Sequence, residues 1–148
     1  FVLTLSEEAF IGLTKEEVIN KMLLNFGLTE QADKSQFLES AVGIKGSEEK
    51  GYVMVREGSI NGISTNIEIL EGSKGDIEII IYKNKKEMGF RNIIDANTPG
   101  VKTDYDVQPG KTIEFEPGDI ISLYLQINGK VEYKDVNTLI EISTFEEN

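Results

Sequence analysis

The chain has 148 residues, with 15 Lys and Arg against 26 Asp and Glu, and its net charge is −11. Such an acidic surface repels phosphate backbones and anionic lipid heads, so neither nucleic acid nor a membrane surface is an expected partner. Because Cys and His are both absent from the sequence, disulfides, thiolate nucleophiles, and the commonest general base and zinc ligand are excluded. The hydrophobic content of 39% is enough for one packed core at this length.

The first 45 residues carry helix signals. Thr14-Lys15-Glu16-Glu17 has the form of a capping box, and apolar residues follow it at helical spacing: Val18, Ile19, Met22, Leu23 and Phe26. Gly27 would end this helix, so the pattern predicts a helix over residues 15–26. Further helices are predicted to start at Ser6 and at Thr29, the second running to about Ser40. We therefore expect an N-terminal helical segment or connector over residues 1–45 and a β-sandwich domain over residues 46–148.

From Gly51 onward the hydrophobic pattern has a period of two, which is typical of strands. Strands are predicted at residues 51–57, 63–69, 76–84, 88–96, 111–116, 120–127, 131–133 and 139–145. Residues 71–75 and 84–86 are predicted turns, and residues 97–106 are a predicted loop. Asn128-Gly129 predicts a type I′ hairpin turn, after which residues 131–133 would pair back. This succession of short strands predicts a mainly β fold, an antiparallel, jelly-roll-like β-sandwich.

The two most regular strands carry apolar residues on both faces. One set should face the core: Ile77, Ile79, Ile81, Ile121, Leu123 and Leu125. The other set should point away from it: Ile80, Tyr82, Ile120 and Tyr124. A solvated face would be more polar, so we expect the N-terminal helices or a neighbouring subunit to cover this second face.

The sequence contains no constellation that is typical of catalysis. Without His or Cys the usual nucleophile–base pairs are missing. Glu114 and Glu116 would lie on the solvated side of one strand, not across a sugar-binding cleft. We therefore predict that the protein is not an enzyme, and a carboxylate-dependent hydrolase is the third of three hypotheses.

Three tyrosines and one acidic pair are the candidate binding residues. Tyr105, Tyr124 and Tyr133 would stack on a sugar if they shared one exposed face. Asp104 and Asp106 would be the oxygen ligands of a calcium ion, although the sequence has no EF-hand spacing. We predict no cofactor, with calcium as the alternative.

One long segment carries a family resemblance. GYVMVREGSINGISTNIEILEGSKGDIEIIIYKN, followed by EPGDI at residues 116–120, resembles β-sandwich domains of bacteriophage virion proteins of the tail-fibre, baseplate and head-fibre type. The EPGDI element is also similar to jelly rolls of the C1q and tumour-necrosis-factor type. The resemblance covers residues 51–127 and implies a homotrimer, a location on a virion or extracellular surface, and no catalytic residue.

The resemblance also implies the first functional hypothesis, a structural or receptor-binding module of a phage or phage-like particle. Other virion proteins or a host cell-surface glycan would be its partners. The loops at residues 71–75, 97–106 and 128–130 would make the contacts, and oligomerisation would multiply weak ones. The second hypothesis is a carbohydrate-binding module of a secreted or surface protein, which predicts aromatic residues aligned on one exposed face.

Overall fold

A computed structural model describes residues 17–108 and 113–147 of the chain. Over these residues the backbone forms β-strands and no α-helix, and therefore no helix there is suited to spanning a membrane. The strands are β1 (Glu17–Leu28), β2 (Gln36–Phe37), β3 (Glu39–Ser40), β4 (Tyr52–Val53), β5 (Gly58–Ile69), β6 (Lys74–Lys83), β7 (Lys86–Asp95), β8 (Gly100–Val107), β9 (Ile113–Phe115), β10 (Ile120–Lys130) and β11 (Tyr133–Glu147).

The strands form two sheets that pack face to face. The six-stranded sheet has the order β3-β1-β11-β5-β8, with β9 also paired to β5. The five-stranded sheet has the order β2-β10-β6-β7, with β4 also paired to β10. All pairings between these strands are antiparallel, and the chain changes sheet repeatedly. The predicted jelly-roll-like antiparallel β-sandwich is therefore confirmed.

The core lies between the sheets and is rich in isoleucine. The predicted inward set is confirmed, since its six side chains are all fully buried: Ile77, Ile79, Ile81, Ile121, Leu123 and Leu125. The six-stranded sheet contributes a facing set that includes Ile60, Ile67 and Ile140. Each such side chain contributes roughly 1.5–3 kcal/mol by leaving water, so these two inner faces hold the sheets together.

The predicted helix over residues 15–26 is wrong for the described residues 17–26, which belong to β1. This strand pairs along its whole length with β11, from Glu17↔Glu147 to Leu28↔Val136. Leu24 and Phe26 pack on the core side, whereas Leu23 is exposed on the outward side. Because both faces of β1 carry apolar residues, its sequence also satisfies the helical spacing, and the pattern alone favoured the wrong structure.

The remainder of the N-terminal region also departs from the helical prediction. The predicted helix over residues 29–40 is wrong, since this stretch contains β2 and β3. The helix start predicted at Ser6 lies outside the described residues. β2 pairs with β10 and β3 pairs with β1, so segments on both sides of residue 45 share the two sheets.

Two predictions about the connections are wrong as well. The loop predicted at residues 97–106 ends at Gly100, where β8 begins and pairs with β5. The hairpin predicted at Asn128-Gly129 is absent, because β10 continues to Lys130 with Gly129 opposite Gly75. A Cβ atom on Gly75 would lie 2.0 Å from the Asn128 carbonyl oxygen. Glycine is therefore needed here because the two strands lie close together, and not because the chain turns.

The other strand boundaries shift by smaller amounts. The strand predicted at residues 51–57 is reduced to β4, and residues 58–62, expected between strands, form the start of β5. Residues 131–133 do not pair back onto β10, since Tyr133 pairs with Ile69 in the other sheet.

Candidate interaction surface

The outward face of the six-stranded sheet carries an unusual concentration of apolar side chains. We call Leu23, Tyr105, Val107 and Leu139 the apolar patch. Leu23 is 59% exposed, Tyr105 is 74% exposed and Val107 is 66% exposed, while Leu139 is half-buried. The four residues come from β1, β8 and β11, so only the folded sheet brings them together.

Small residues of β5 form the floor of the apolar patch. Gly62 lies opposite Val107, and Ser64 lies opposite Tyr105 on one side and Leu139 on the other. Because neither floor residue has a large side chain, a depression of about 220 Å³ remains between the surrounding apolar groups. Side chains of another molecule can enter such a depression.

Polar contacts border the apolar patch along β1 and β11. On one side Lys21 Nζ lies 3.5 Å from Glu141 Oε1. On the other side Asn25 Nδ2 donates to Asn137 Oδ1 at 2.7 Å. An apolar centre with a polar rim is the usual anatomy of a protein–protein interface.

The three predicted ligand-binding tyrosines do not share a face. Tyr105 belongs to the apolar patch, Tyr124 lies on the outward face of the five-stranded sheet, and Tyr133 is fully buried. The Tyr133 hydroxyl donates to the Lys34 carbonyl oxygen at 2.8 Å and accepts from Gln36 Nε2 at 2.8 Å. Burial raises the pKa of Tyr133. Its ring cannot stack on a ligand, so its placement corrects the prediction of a shared tyrosine platform.

Tyr124 takes part in an aromatic cluster on the five-stranded sheet. The Phe37 ring centroid lies 4.9 Å from that of Tyr124 and 5.3 Å from that of Tyr82, in edge-to-face contacts. Ile80, which lies opposite Tyr124 in β6, is buried. These rings lie side by side on one face of the sheet, since β2 and β10 are neighbours in it and Phe37 pairs with Tyr124. The helical cover expected for this face is not present in residues 17–108 and 113–147, which contain no α-helix.

The acidic pair predicted to bind calcium makes separate contacts. Asp104 Oδ2 accepts a hydrogen bond from the Ile93 backbone N–H at 2.9 Å, which joins β8 of one sheet to β7 of the other. Asp106 Oδ2 accepts from Gln108 Nε2 at 3.2 Å. Within residues 17–108 and 113–147, no group of three or more acidic side chains is arranged to hold a metal ion.

A polar network crosses the outward face of the five-stranded sheet. Arg91 contacts Glu78 at 2.9 Å and Glu87 at 2.8 Å, and Asn128 Nδ2 donates to Glu78 Oε2 at 2.6 Å and to Asp76 Oδ1 at 2.7 Å. The hydrogen bonds from Asn128 and then Arg91 lower the pKa of Glu78. The network fixes β6, β7 and β10 in register.

The segments predicted as contact loops meet at one end of the sandwich. Gly75 is opposite Gly129, and its N–H donates to Asn97 Oδ1 at 3.0 Å. We call this end, formed by residues 71–75, 97–100 and 128–130, the loop end. The apolar patch lies on the side of the sandwich, so a contact through the patch leaves the loop end accessible.

Most of the apolar patch was not singled out from the sequence. Only Tyr105 was named as a candidate, and for a different partner. The signal that was present is the alternation of Val101, Thr103, Tyr105 and Val107, which is typical of a strand with one apolar face.

Comparisons with known proteins do not assign the chain to a family. No protein-family model matches the sequence, and no curated protein matches it. Among solved structures, the crystal structure of murine APRIL at pH 8.5 is similar, with a TM-score of 0.43 and 12% sequence identity, over 82% of this chain and 98% of that chain.

Proposed function

We propose that the protein is a non-enzymatic module that assembles as a homotrimer through the apolar patch and presents its loop end to partners. The observation that carries this proposal is the exposure of Leu23, Tyr105 and Val107 around the depression floored by Gly62 and Ser64. Large exposed apolar patches with polar rims mark interaction sites on soluble proteins.

Self-association explains why these residues are apolar. Each square ångström of apolar surface removed from water contributes roughly 25 cal/mol, and the exposed parts of Leu23, Tyr105 and Val107 gain this contribution only when another molecule covers them. In a closed ring every subunit makes the same contacts with its neighbours, so the apolar patch of each subunit is removed from water to the same extent. The number three rests on the resemblance to trimeric virion and jelly-roll domains.

We further propose that this trimer is a structural or receptor-binding component of a phage or phage-like particle. The support is the sequence resemblance over residues 51–127, together with loops gathered at one end of a rigid sandwich. Three identical loop ends held together would bind a repetitive partner with a high effective concentration, so weak individual contacts suffice. Other virion proteins or a host cell-surface glycan are the partners expected, and a virion or extracellular surface is the location.

The carbohydrate-binding alternative needs aromatic rings aligned on one exposed face. Tyr105 and Tyr124 lie on different sheets, and Tyr133 is buried. The arrangement of the tyrosines therefore favours the first hypothesis.

A matched pair of variants tests the proposed assembly. Val107→Lys places a charge in the apolar patch, whereas Ile93→Lys places the same charge at a residue of the five-stranded sheet that is 56% exposed. Both side chains are exposed, so neither change should disturb the core. In sedimentation velocity we expect Val107→Lys to dissociate the trimer and Ile93→Lys to leave it intact. Equal sedimentation of the two variants would remove the apolar patch as the interface.

A further inference from the structure

Strand β1 is paired along its whole length on one side but only at its end on the other. On the first side β11 accompanies it over residues 17–28. On the second side β3 pairs with it at Phe26 and Gly27. Within residues 17–108 and 113–147, no strand pairs with β1 on this second side before residue 26.

The Tyr52 hydroxyl shows which backbone groups of β1 point to this second side. It donates to the Asn25 carbonyl oxygen at 2.9 Å. Because backbone groups alternate in direction along a strand, the N–H and C=O groups of Ile19, Lys21 and Leu23 point the same way. Among the described residues, no other strand supplies hydrogen bonds to these groups. We call the backbone groups of these three residues the open edge.

Other strand edges of the sandwich are covered within the chain. Where β7 meets β8, the Ile93 N–H donates to Asp104 Oδ2 at 2.9 Å. On the far side of β3, the Ser40 N–H donates to the Ile44 carbonyl oxygen at 2.9 Å. An uncovered edge is a template on which a further strand can pair, and proteins usually block such edges. The open edge of β1 has no block of this kind from the described residues.

Lys21 does not cover the open edge, although lysine is a residue type that commonly protects strand edges. Its Nζ lies 3.5 Å from Glu141 Oε1. Glu141 belongs to β11, on the paired side of β1. The Lys21 side chain therefore leans away from the open edge and leaves it accessible to the backbone of another chain.

An apolar groove lies beside the open edge, between the two sheets. It has a volume of about 500 Å³, and Met22 and Leu24 of β1 line it. Val53 and Val55, in β4 and just after it, line the groove from the other sheet and are exposed. Met22 is 52% exposed. Apolar surface of this groove is thus in contact with water. We call it the edge groove.

The open edge and the edge groove together define the chemistry of an occupant. An extended chain presents N–H and C=O groups at the spacing of Ile19, Lys21 and Leu23, which is about 6.8 Å for every second residue. Alternate side chains of such a chain point to the same face. Every second side chain would therefore enter the edge groove, where apolar groups would remove Met22 and Leu24 from water.

We propose that the open edge of β1 binds an extended segment of a partner protein as an additional strand, with alternate apolar side chains of that segment in the edge groove. Backbone hydrogen bonds hold the segment, and the edge groove selects its sequence. The apolar patch is a different surface, since it lies on the face of the sheet and not at its border. The inference therefore does not depend on the proposed trimer.

A short capped peptide of alternating valine and serine, with a lysine at each end for solubility, is the probe. Amide hydrogen exchange in the full chain, followed by nuclear magnetic resonance, reports on the open edge. We expect the amides of Ile19, Lys21 and Leu23 to exchange rapidly without peptide. With peptide at about ten times its dissociation constant, their exchange should slow about tenfold, since the edge is then unoccupied about one-tenth of the time.

Two methylated peptides distinguish strand addition from simple apolar binding. One carries N-methyl groups on its serines and the other on its valines, so their charge and apolar content are matched. In a strand the N–H groups of alternate residues point to opposite sides. We expect one methylated peptide to lose binding and the other to retain it. Equal affinities of the two would overturn the proposal, and this comparison uses the unaltered protein.

Two variants of Lys21 test the same contact from the protein side. Lys21→Pro removes a backbone donor of the open edge, and proline is accepted where a strand N–H faces away from its sheet. Lys21→Ala removes the contact with Glu141 as well but keeps the N–H. We expect Lys21→Pro to weaken peptide binding about tenfold or more and Lys21→Ala to retain it. Equal effects of the two substitutions would contradict strand addition.

Exchange in the unaltered protein without peptide distinguishes the other occupants. Slow exchange of the three amides that strengthens with protein concentration would assign the open edge to a second copy. Slow exchange at every protein concentration would assign it to the chain itself. Either result would overturn the proposal, and so would rapid exchange that no concentration of the peptide slows.

Discussion

Asn92 connects the two sheets at the level of single side chains. It is fully buried, and its Oδ1 accepts a hydrogen bond from Thr65 Oγ1 at 2.9 Å. Thr65 Oγ1 also lies 2.9 Å from Thr138 Oγ1, and Asn92 Nδ2 donates to the Ile63 carbonyl oxygen at 3.4 Å. Because these groups are partnered within an apolar core, they favour one arrangement of β5, β7 and β11 over alternatives that would leave them unpaired.

Substitution of Thr65 measures how much this hydrogen-bond network contributes to the free energy of unfolding. Thr65→Val keeps the shape of the side chain but leaves Asn92 Oδ1 and the Thr138 hydroxyl short of a partner, so we expect the free energy of unfolding to fall by about 1–3 kcal/mol. The exposed substitution Thr29→Val is the control and should change it by no more than about 0.5 kcal/mol. Urea unfolding measures both, and an unchanged stability for Thr65→Val would contradict the role given to the network.

Glu78, on the outward face of the five-stranded sheet, makes the stability of the protein depend on pH. Its pKa is lowered in the folded protein by the hydrogen bond from Asn128 and then by that from Arg91. A carboxyl group whose pKa is lowered by folding stabilises the protein above its unfolded pKa, which is about 4.3. This contribution is lost as the pH falls through the lower, folded pKa.

Asn128→Asp should replace the hydrogen bonds to Asp76 and Glu78 with repulsion between carboxylates at neutral pH. The change removes the donor to Glu78 and places a third carboxylate beside Asp76, which lies directly opposite in β6. We expect a loss of about 1 kcal/mol at pH 7, modest because the site is partly exposed. The loss should shrink below about pH 4, as the carboxylates become protonated.

Asn66→Asp is the matched control for this charge change, since Asn66 donates to the Thr103 hydroxyl and the Lys102 carbonyl and not to a carboxylate. Its effect should show no comparable decrease in acid. A destabilisation by Asn128→Asp that is the same at pH 7 and pH 3.5 would contradict the account of Glu78.

At the scale of the element, the sequence predicted strands correctly where apolar residues recur at every second position. β6 and β10 each carry such an inward set, although both also carry apolar residues outward, and they were predicted with small errors in their ends, as was β7. β1 was mistaken for a helix because Val18, Ile19, Met22, Leu23 and Phe26 recur at helical spacing after a capping-box sequence. β8 was mistaken for a loop because its apolar residues face outward, while Asp104 and Asp106 occupy the other side. The two errors therefore involve the strands that carry most of the apolar patch.

The pairing of β5 and β11 depends on Gly58 at the start of β5. A Cβ atom at this position would lie 2.1 Å from the Ser143 carbonyl oxygen and 2.9 Å from the Phe115 ring. We expect Gly58→Ala to lower the free energy of unfolding by about 1–3 kcal/mol, since backbone and ring must both shift.

Gly89→Ala is the control within another strand, because a Cβ atom at Gly89 meets nothing within 4 Å. This change should be neutral or stabilise the protein by about 0.4–1 kcal/mol through the unfolded chain. Thermal unfolding of the two variants compares them directly. Equal melting temperatures of the two variants would contradict the close contact of Gly58 with the Ser143 carbonyl oxygen and the Phe115 ring.

At the scale of the whole molecule, the loop end and the apolar patch lie on different parts of the surface. The loop end gathers the segments predicted to contact partners, and the apolar patch occupies one broad side. In the proposed trimer, this separation would let copies associate side by side while all their loop ends remain accessible.

The sequence alone did not define the apolar patch for a physical reason. Leu23, Leu139 and Tyr105 are far apart in the chain, and they become neighbours only through the register of β1 with β11, of β11 with β5, and of β5 with β8. A periodic pattern can indicate which face of a strand is apolar, but not which strands lie side by side. The sandwich architecture was therefore predictable, whereas the composition of this surface was not.

Molar mass in solution tests the central claim most directly. Light scattering coupled to size-exclusion chromatography measures it without reference to shape. One chain has a mass of 16.5 kDa, and we expect three times that value for the unaltered protein. A mass of one chain at every accessible concentration would contradict assembly through the apolar patch.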